Sequence, residues 1–209
     1  DSIAPEQIPY LGLLKSVLGY VDTENYTYGE LFNEINANTG GINCGVEVFD
    51  RADSTEEFQA MFSVRGKALY TKMDFLFKMI GEILNSSKLE DTKRLYEIVA
   101  SVKSRAQVNL TGAGHSTAVL RAAAYSSPMA AFQDEMAGIG YYQFIEKLEK
   151  DFEQRKEETV EELCKLMKKI LRPENFMISY TGEKESLETV KKLAASVKAG
   201  LCTEPAEKS

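Results

Sequence analysis

Residues 8–49 decide the reading of the fold: Ile8-Pro9-Tyr10-Leu11-Gly12-Leu13-Leu14-Lys15, then Leu18-Gly19, Tyr28-Gly29-Glu30-Leu31, Asn36-Ala37-Asn38-Thr39-Gly40-Gly41-Ile42 and Asn43-Cys44-Gly45-Val46-Glu47-Val48-Phe49. Pro5-Glu6 opens a first helix that runs to about Leu18, since Pro is tolerated only in a first helical turn. Thr27-Tyr28-Gly29-Glu30 has the Ser/Thr-x-x-Glu form of a capping box and starts a second helix, which Gly40-Gly41 ends. The period then changes from helical to alternating. Ile42, Cys44, Val46 and Val48 alternate with Asn43, Gly45, Glu47 and Phe49, and Phe58, Ala60, Phe62 and Val64 alternate with Gln59, Met61, Ser63 and Arg65. Two strands with one buried face are predicted, joined by the polar loop Asp50 to Glu56 as an antiparallel hairpin.

Beyond Lys67 helices dominate. Met73, Phe77, Ile80 and Leu84 mark one apolar stripe and Leu95, Ile98, Val99, Val102 and Ala106 another, with Asn85-Ser86-Ser87 as the loop between them. An Ala-rich helix from Thr117 to about Tyr125 is expected to pack closely. Further helices run from Tyr141 through Phe144, Leu148 and Phe152, and through Val160, Leu163, Cys164, Met167 and Ile170 to a stop at Arg172-Pro173. Phe176, Ile178 and Tyr180 alternate as a third strand. Leu187, Val190, Leu193, Ala194 and Val197 form a last helix ended by Gly200. The predicted class is α+β, a small mainly antiparallel sheet over residues 41–49, 58–65 and 175–181 covered on one face by helices.

The 209 residues, 44% of them hydrophobic, are enough for one sizeable core, so residues 1–202 read as a single domain and residues 203–209 as a polar tail. A net charge of −7, from 32 acidic and 25 basic residues spread along the chain, excludes a phosphate-backbone partner, which needs Lys and Arg gathered on one face. No apolar run reaches the length of a membrane span of about 18 residues, and the opening Asp1-Ser2-Ile3-Ala4-Pro5-Glu6 lacks the shape of a signal peptide, so a soluble chain is predicted. Cys44, Cys164 and Cys202 are odd in number and widely spaced. They read as free thiols in a reducing compartment, the cytoplasm, with Cys44 in a strand and Cys164 on an apolar helix face as small hydrophobes.

Few residues offer independent chemistry. Thr111-Gly112-Ala113-Gly114-His115-Ser116-Thr117 is a glycine-rich turn carrying the sole histidine, but it lacks the Lys-Ser/Thr of a phosphate loop, and Ser116 or Thr117 as helix N-cap explains it equally well. Asp134-Glu135 and Glu157-Glu158 are adjacent pairs that face different sides of a helix, which suits them poorly to acid–base work.

The opening segment resembles the zinc-peptidase unit of the pitrilysin/insulinase superfamily, in its presequence-protease branch. There an inverted zinc helix of the form His-x-x-Glu-His leads through a second helix to a Gly-Gly turn and an edge strand. Matching Leu18-Gly19 to the Leu-Gly that follows the zinc helix puts Tyr10, Leu13 and Leu14 where the first His, the Glu and the second His stand. A catalytic zinc takes about three N, O or S ligands and leaves a position open for water, so two leucines and a phenol imply a helix that serves the core. The resemblance extends from about Ile3 to about Val197. It is best over Ile8 to Val48 and Gly114 to Tyr142, and gives His115 no catalytic part.

The branch is built as two halves that close like a clamshell, each of two related α+β modules of the mitochondrial-processing-peptidase-like metallohydrolase fold. The resemblance places this chain as the third module. It implies no catalytic residue, metal ligand or cofactor here, zinc in the parent enzyme, and a non-catalytic, chamber-forming role in a metalloendopeptidase that degrades unfolded peptides. The expected partners are other modules of the same polypeptide and peptide substrates of the parent, with no nucleic acid and no membrane. The edge strand of the catalytic module pairs with substrate as an added strand, so the resemblance makes Ile42, Asn43, Cys44 and Gly45 the candidate substrate contacts, although Cys44 and Gly45 depart from the Asn then Ala carried there. Family modules place strands before the degenerate zinc helix, whereas this chain begins almost at it, and its short sheet is expected to self-associate by edge pairing. The alternative is a peptide-binding or assembly module whose parent has no peptidase activity.

After dialysis against metal-free buffer, the chain is expected to hold no stoichiometric zinc and to cleave no peptide. About one tightly held zinc per chain in elemental analysis would overturn that reading of Tyr10, Leu13 and Leu14.

Overall fold

Thr27 closes its capping box as the sequence requires: its hydroxyl accepts from the Glu30 N–H at 3.3 Å, and the Glu30 carboxylate accepts from the Thr27 N–H at 2.9 Å. Local signals of this kind set most of the elements in the computed structural model, which describes residues 3–52 and 54–204. A short 3-10 turn at Pro5–Gln7 leads into α1 (Ile8–Val17), followed by α2 (Tyr28–Asn38), β1 (Ile42–Arg51) and β2 (Ser54–Gly66). Then come α3 (Met73–Ser86), α4 (Thr92–Gly112), α5 (Gly114–Ala123), α6 (Pro128–Ala137), α7 (Ile139–Lys150), α8 (Phe152–Ile170) and α9 (Leu187–Ala199). The class is α+β. Gly41, at φ 106, turns the chain from α2 into β1 through backbone space that disfavours a side chain.

Several expectations are corrected. The sheet has two strands, in the order β1-β2, and residues 176–181, expected as a third strand, carry no ladder among the described residues. A strand exists only where a neighbour takes its N–H and C=O groups, and this segment is flanked in sequence by helices with no hairpin turn to supply one. The strands run through much of the expected 50–56 loop, in which Asp53 lies outside the described residues, and Arg51 and Glu57 pair across its end at 2.9 Å. Alternation also predicted a buried strand face, yet no residue of β1 or β2 with a described side chain is buried.

Asn85 and Ser86 belong to α3, not to a loop. Neither Ser116 nor Thr117 caps a helix, because α4 continues to Gly112 and α5 begins at Gly114, while the Thr117 hydroxyl turns back to the Ala113 carbonyl at 3.1 Å. The Ala-rich α5 buries none of its residues. Helix α6 was not foreseen, although Ser127-Pro128 marks its start: the Ser127 hydroxyl accepts from the Ala130 N–H, and Pro128 fills the first turn. Of the polar tail, residues 205–209 lie outside the described residues.

The chain divides into two compact units, one of residues 1–17, 45–63 and 89–163, the other of residues 18–44, 64–88 and 164–209. In the first, α1 packs on α6 and α4 packs on α7 around Leu11, Leu13, Leu14, Leu95, Ile145 and Leu148, all at most 2% exposed. Gly12 is the tightest point of that core. A Cβ there would stand 2.5 Å from the Met136 carbonyl oxygen and 2.8 Å from the Tyr141 ring. Asp134, 1% exposed, fixes the start of α7 by accepting from the N–H groups of Ile139 and Gly140 at 3.0 and 3.1 Å, and pairs with Arg121 at 2.6 Å. In the second unit α3 packs on α9 and on α2, with Leu31, Met79, Ile83 and Val197 buried on those helices.

Leu14→Ala is expected to cost roughly 2 to 5 kcal/mol, the range for a buried leucine. Gly12→Ala, although it adds a better helix former, is expected to cost roughly 1 to 3 kcal/mol through overpacking against backbone that has nowhere to move. Chemical denaturation of both variants checks this; losses under about half a kcal/mol, the size of a surface change, would place α1 outside the core.

Candidate functional site

The three positions of α1 singled out in the sequence face its packed side. Leu13 and Leu14 are 0% and 1% exposed, and Tyr10 is buried with its ring edge-on to Phe144 of α7, centroids 4.9 Å apart at 72°. Only the Tyr10 hydroxyl brings polarity to the site. It accepts from the Arg155 guanidinium at 2.9 Å and donates to Glu158 at 3.2 Å, while Arg155 and Glu158 pair at 3.2 Å one turn apart on α8. The guanidinium carbon also lies 6.0 Å from the centre of the Phe144 ring, within reach of a cation–π contact. Beside this group the Gln7 amide donates to Glu162 at 3.1 Å.

The electrostatics hold each group in one state. Burial raises the Tyr10 hydroxyl above the usual phenol value in spite of the adjacent Arg155, so it stays protonated and donates. The hydrogen bond from Arg155 leads in lowering Glu158 below the usual carboxylate value, and the same bond raises Arg155. A carboxylate held below its ordinary range is a weaker proton acceptor still at neutral pH, which unfits Glu158 for a general base. The constellation anchors α1 and α7 to α8.

Zinc does not fit the residues present. Leu13 and Leu14 offer only carbon, and the one oxygen, on Tyr10, already lies 2.9 Å from a guanidinium nitrogen whose charge opposes a cation. Among the described residues no group of three or more His, Cys, Asp and Glu side chains is placed to hold a metal ion. His115 is exposed on the first turn of α5.

The expected substrate contacts open β1. Ile42, Cys44 and Gly45 are half-buried and Asn43 is exposed. The Gly40 N–H donates to the Lys67 carbonyl at 2.7 Å, and the Lys67 N–H to the Gly41 carbonyl at 3.3 Å, which pins this end of the hairpin. Burial pushes the Cys44 thiol up to about 12, so it is protonated and unreactive as a nucleophile at neutral pH. No disulfide joins Cys44, Cys164 or Cys202. Tyr10, Leu13 and Leu14 belong to the first unit, whereas Ile42, Asn43 and Cys44 belong to the second.

Arg155, Glu158 and Glu162 were not foreseen at this site. Their spacing along α8 puts them on one helical face, and that was the available signal. Nothing local announces that their partners are Tyr10 and Gln7, some 150 residues away: the separations are 148, 145 and 155 residues.

The family model described as peptidase M-16C associated matches residues 1–148 of this chain. Protein HypA of Clostridium perfringens is 33% identical over 191 residues, covering 91% of this chain and 19% of that relative. The mitochondrial presequence protease of Yarrowia lipolytica is 28% identical over 200 residues, covering 94% of this chain and 20% of the relative. Presequence protease 1, chloroplastic/mitochondrial, of Arabidopsis thaliana is 25% identical over 194 residues, covering 93% and 18%. The chain thus spans about a fifth of the length of the curated relatives it matches.

The polar anchor has a pH signature. Because Glu158 has a lowered folded-state value, its contribution is complete above the unfolded carboxylate value and is lost as pH falls through the folded one. The stability difference between the native chain and Arg155→Gln is therefore expected to be larger at about pH 7 than at about pH 3, on either side of the carboxylate range. Glu158 is 55% exposed on its side chain, so solvent screening keeps the change small. Denaturant midpoints at the two pH values check this, and a difference that grows on acidification would overturn it.

Proposed function

This chain belongs to the peptidase M-16C associated family, and from that membership we propose that it is a non-catalytic, chamber-forming module of a zinc-dependent metalloendopeptidase that degrades unfolded peptides. The observation that carries the reading is the packing of α1. Tyr10, Leu13 and Leu14, at the positions that resemble zinc-ligand and general-base sites, are 5%, 0% and 1% exposed and hold the core together. A helix so used serves as a strut and contributes shape to the parent.

Further support comes from size and relatives. The chain matches about a fifth of relatives named presequence proteases, a fit to one module among several of a longer polypeptide. In this reading zinc and the catalytic groups are supplied by another module, and the partners of this chain are its neighbours in the same polypeptide and the peptides enclosed by them. Ile42, Asn43, Cys44 and Gly45 are the proposed points of peptide contact, through the backbone of β1 as an added strand. No helix of the described residues is long and apolar enough to cross a membrane. We place the parent in the cytoplasm, a reducing compartment that suits three cysteines outside any disulfide, with the mitochondrial names of two relatives marking the other compartment to examine.

The test uses the full-length polypeptide of the same reading frame. It is expected to cleave unfolded peptides, to lose that activity on zinc chelation, and to keep its zinc content when Tyr10 is changed to Phe. A full-length protein with no peptidase activity, or one whose zinc is lost with that hydroxyl, would overturn the proposal.

A further inference from the structure

Helices α4 (Thr92–Gly112) and α5 (Gly114–Ala123) are separated by a single residue, Ala113, at φ −126 and ψ 38. Alanine is the best helix former and glycine among the poorest, so the break belongs to Gly112 and Gly114 on either side of it. Neither glycine is required by the geometry. A Cβ at either position would meet nothing within 4 Å among the described residues, and neither has a positive φ. That separates them from Gly12, where a Cβ would collide with α6 and α7, and from Gly41 with its φ of 106. Gly29 is equally unobstructed, but its helix is fixed by the Thr27 capping box and by buried Leu31 and Ile35. What glycine supplies at 112 and 114 is backbone freedom.

Little else restrains the junction. The Ala113 N–H donates back to the Asn109 carbonyl of α4 at 2.8 Å, and its carbonyl accepts from the Thr117 N–H of α5 at 3.1 Å, so each helix keeps its own bonds up to the pivot. Ala113 offers α5 no side-chain cap. Beyond the pivot α5 buries none of its residues: Ala118, Val119 and Ala122 on its outer face are exposed, and Tyr125 just past its end is 83% exposed. Apolar burial therefore holds this helix weakly, as it does elements that open locally. Its strong tie is polar. The Arg121 guanidinium donates to the Asp134 carboxylate of α6 at 2.6 Å, with its carbon 5.9 Å from the centre of the Tyr125 ring. Asp134 also accepts from the N–H groups of Ile139 and Gly140, so two of its bonds remain when Arg121 withdraws.

We infer that α5 is a strap that lifts from α6 about a hinge at Gly112 and Gly114, with Arg121 on Asp134 as its latch. Shut, the strap seals the Asp134 carboxylate, which is 1% exposed. Lifted, it opens that carboxylate and the side of α6 beneath it to water. The strap stays helical in both positions because its backbone bonds are its own. It is ten residues long, about 15 Å at the rise of an α-helix, and the turn at residues 124–127 tethers its far end to α6. The motion is thus a swing between two tethered ends.

Distances between two spin labels on the full-length polypeptide test this, with the labels on cysteines introduced as Ser101→Cys in α4 and Ala122→Cys in α5, and the native cysteines changed to alanine. Two distances are expected. The minor one is expected to disappear in Gly112→Ala/Gly114→Ala, which stiffens the hinge without entering occupied space, and to become at least about fivefold more populated in Arg121→Gln, which removes a contact made only in the shut position. The denaturant midpoint of the double-alanine variant is expected to be no lower than that of the native protein. A single distance in both the native protein and Arg121→Gln overturns the inference, and so do two distances that the double-alanine variant leaves unchanged. A broad spread in place of the second distance also overturns it, since α5 would then melt instead of swinging, and a lowered midpoint in the double-alanine variant would show that packing needs the two glycines. If Arg121→Gln does not fold, the native and double-alanine proteins decide the matter by themselves.

Discussion

Everything in the first unit depends on how closely α1 lies against α6 and α7 at Gly12. A single hydrogen occupies the space there, since a Cβ would stand 2.5 Å from the Met136 carbonyl oxygen. With the helices that close, Leu11, Leu13 and Leu14 reach the interior instead of spanning a gap, and interiors are packed densely enough that one methylene is felt. The same approach sets the Tyr10 ring against Phe144, so the polar anchor to α8 exists only because the apolar contact has put the hydroxyl in place. The other side of the contact is prepared independently. Asp134 holds the first N–H groups of α7 and the Arg121 side chain, which keeps a buried carboxylate paired and hydrogen-bonded and the helix that carries Tyr141 and Phe144 at a defined start.

A helix with leucines where titratable groups would serve chemistry gains stability at those positions. Each fully buried leucine contributes on the order of 1.5 to 3 kcal/mol of apolar burial, whereas a carboxylate or imidazole at the same depth would need a metal or a counter-charge to offset its desolvation. The one polar atom kept among the three positions, the Tyr10 oxygen, is bonded on both sides by Arg155 and Glu158. This is a physical basis for the proposed strut.

Local features were legible. The Thr27 capping box, the Gly40-Gly41 turn, the hairpin and the apolar stripe of α4 stand where the sequence put them, because each is set by residues within a few positions of one another, whereas α3 buries Leu76, Met79 and Ile83 in place of Phe77 and Ile80, and Leu187 of α9 is 37% exposed. The failures share a different cause. Phe176, Ile178 and Tyr180 have the alternation of a strand, but alternation specifies a side-chain pattern and cannot supply a neighbour. The strands β1 and β2 alternate without burying a face. The Ala-rich α5 has small residues suited to close packing and buries none of them. Of the candidate site, Tyr10, Leu13 and Leu14 were singled out by the resemblance, and their burial agrees with a helix that serves the core, while the Arg155–Glu158 partner was not foreseen.

What the sequence alone determined is most of the elements and the chemistry unavailable to the first of them: helices with caps and stripes, one hairpin, and a helix that carries leucine at positions 13 and 14. These follow from backbone sterics, short-range hydrogen bonding and the kind of atoms a side chain carries, none of which needs a distant partner. Tertiary structure alone decided which residues meet. It brought Arg155 and Glu158 to Tyr10, set Gly12 against the Met136 carbonyl, gave Asp134 three donors, and left residues 177–182 without a pairing strand among the described residues. Such contacts join residues far apart in sequence, and their stability comes from burial shared among several elements at once, a quantity that no local stretch of the chain contains.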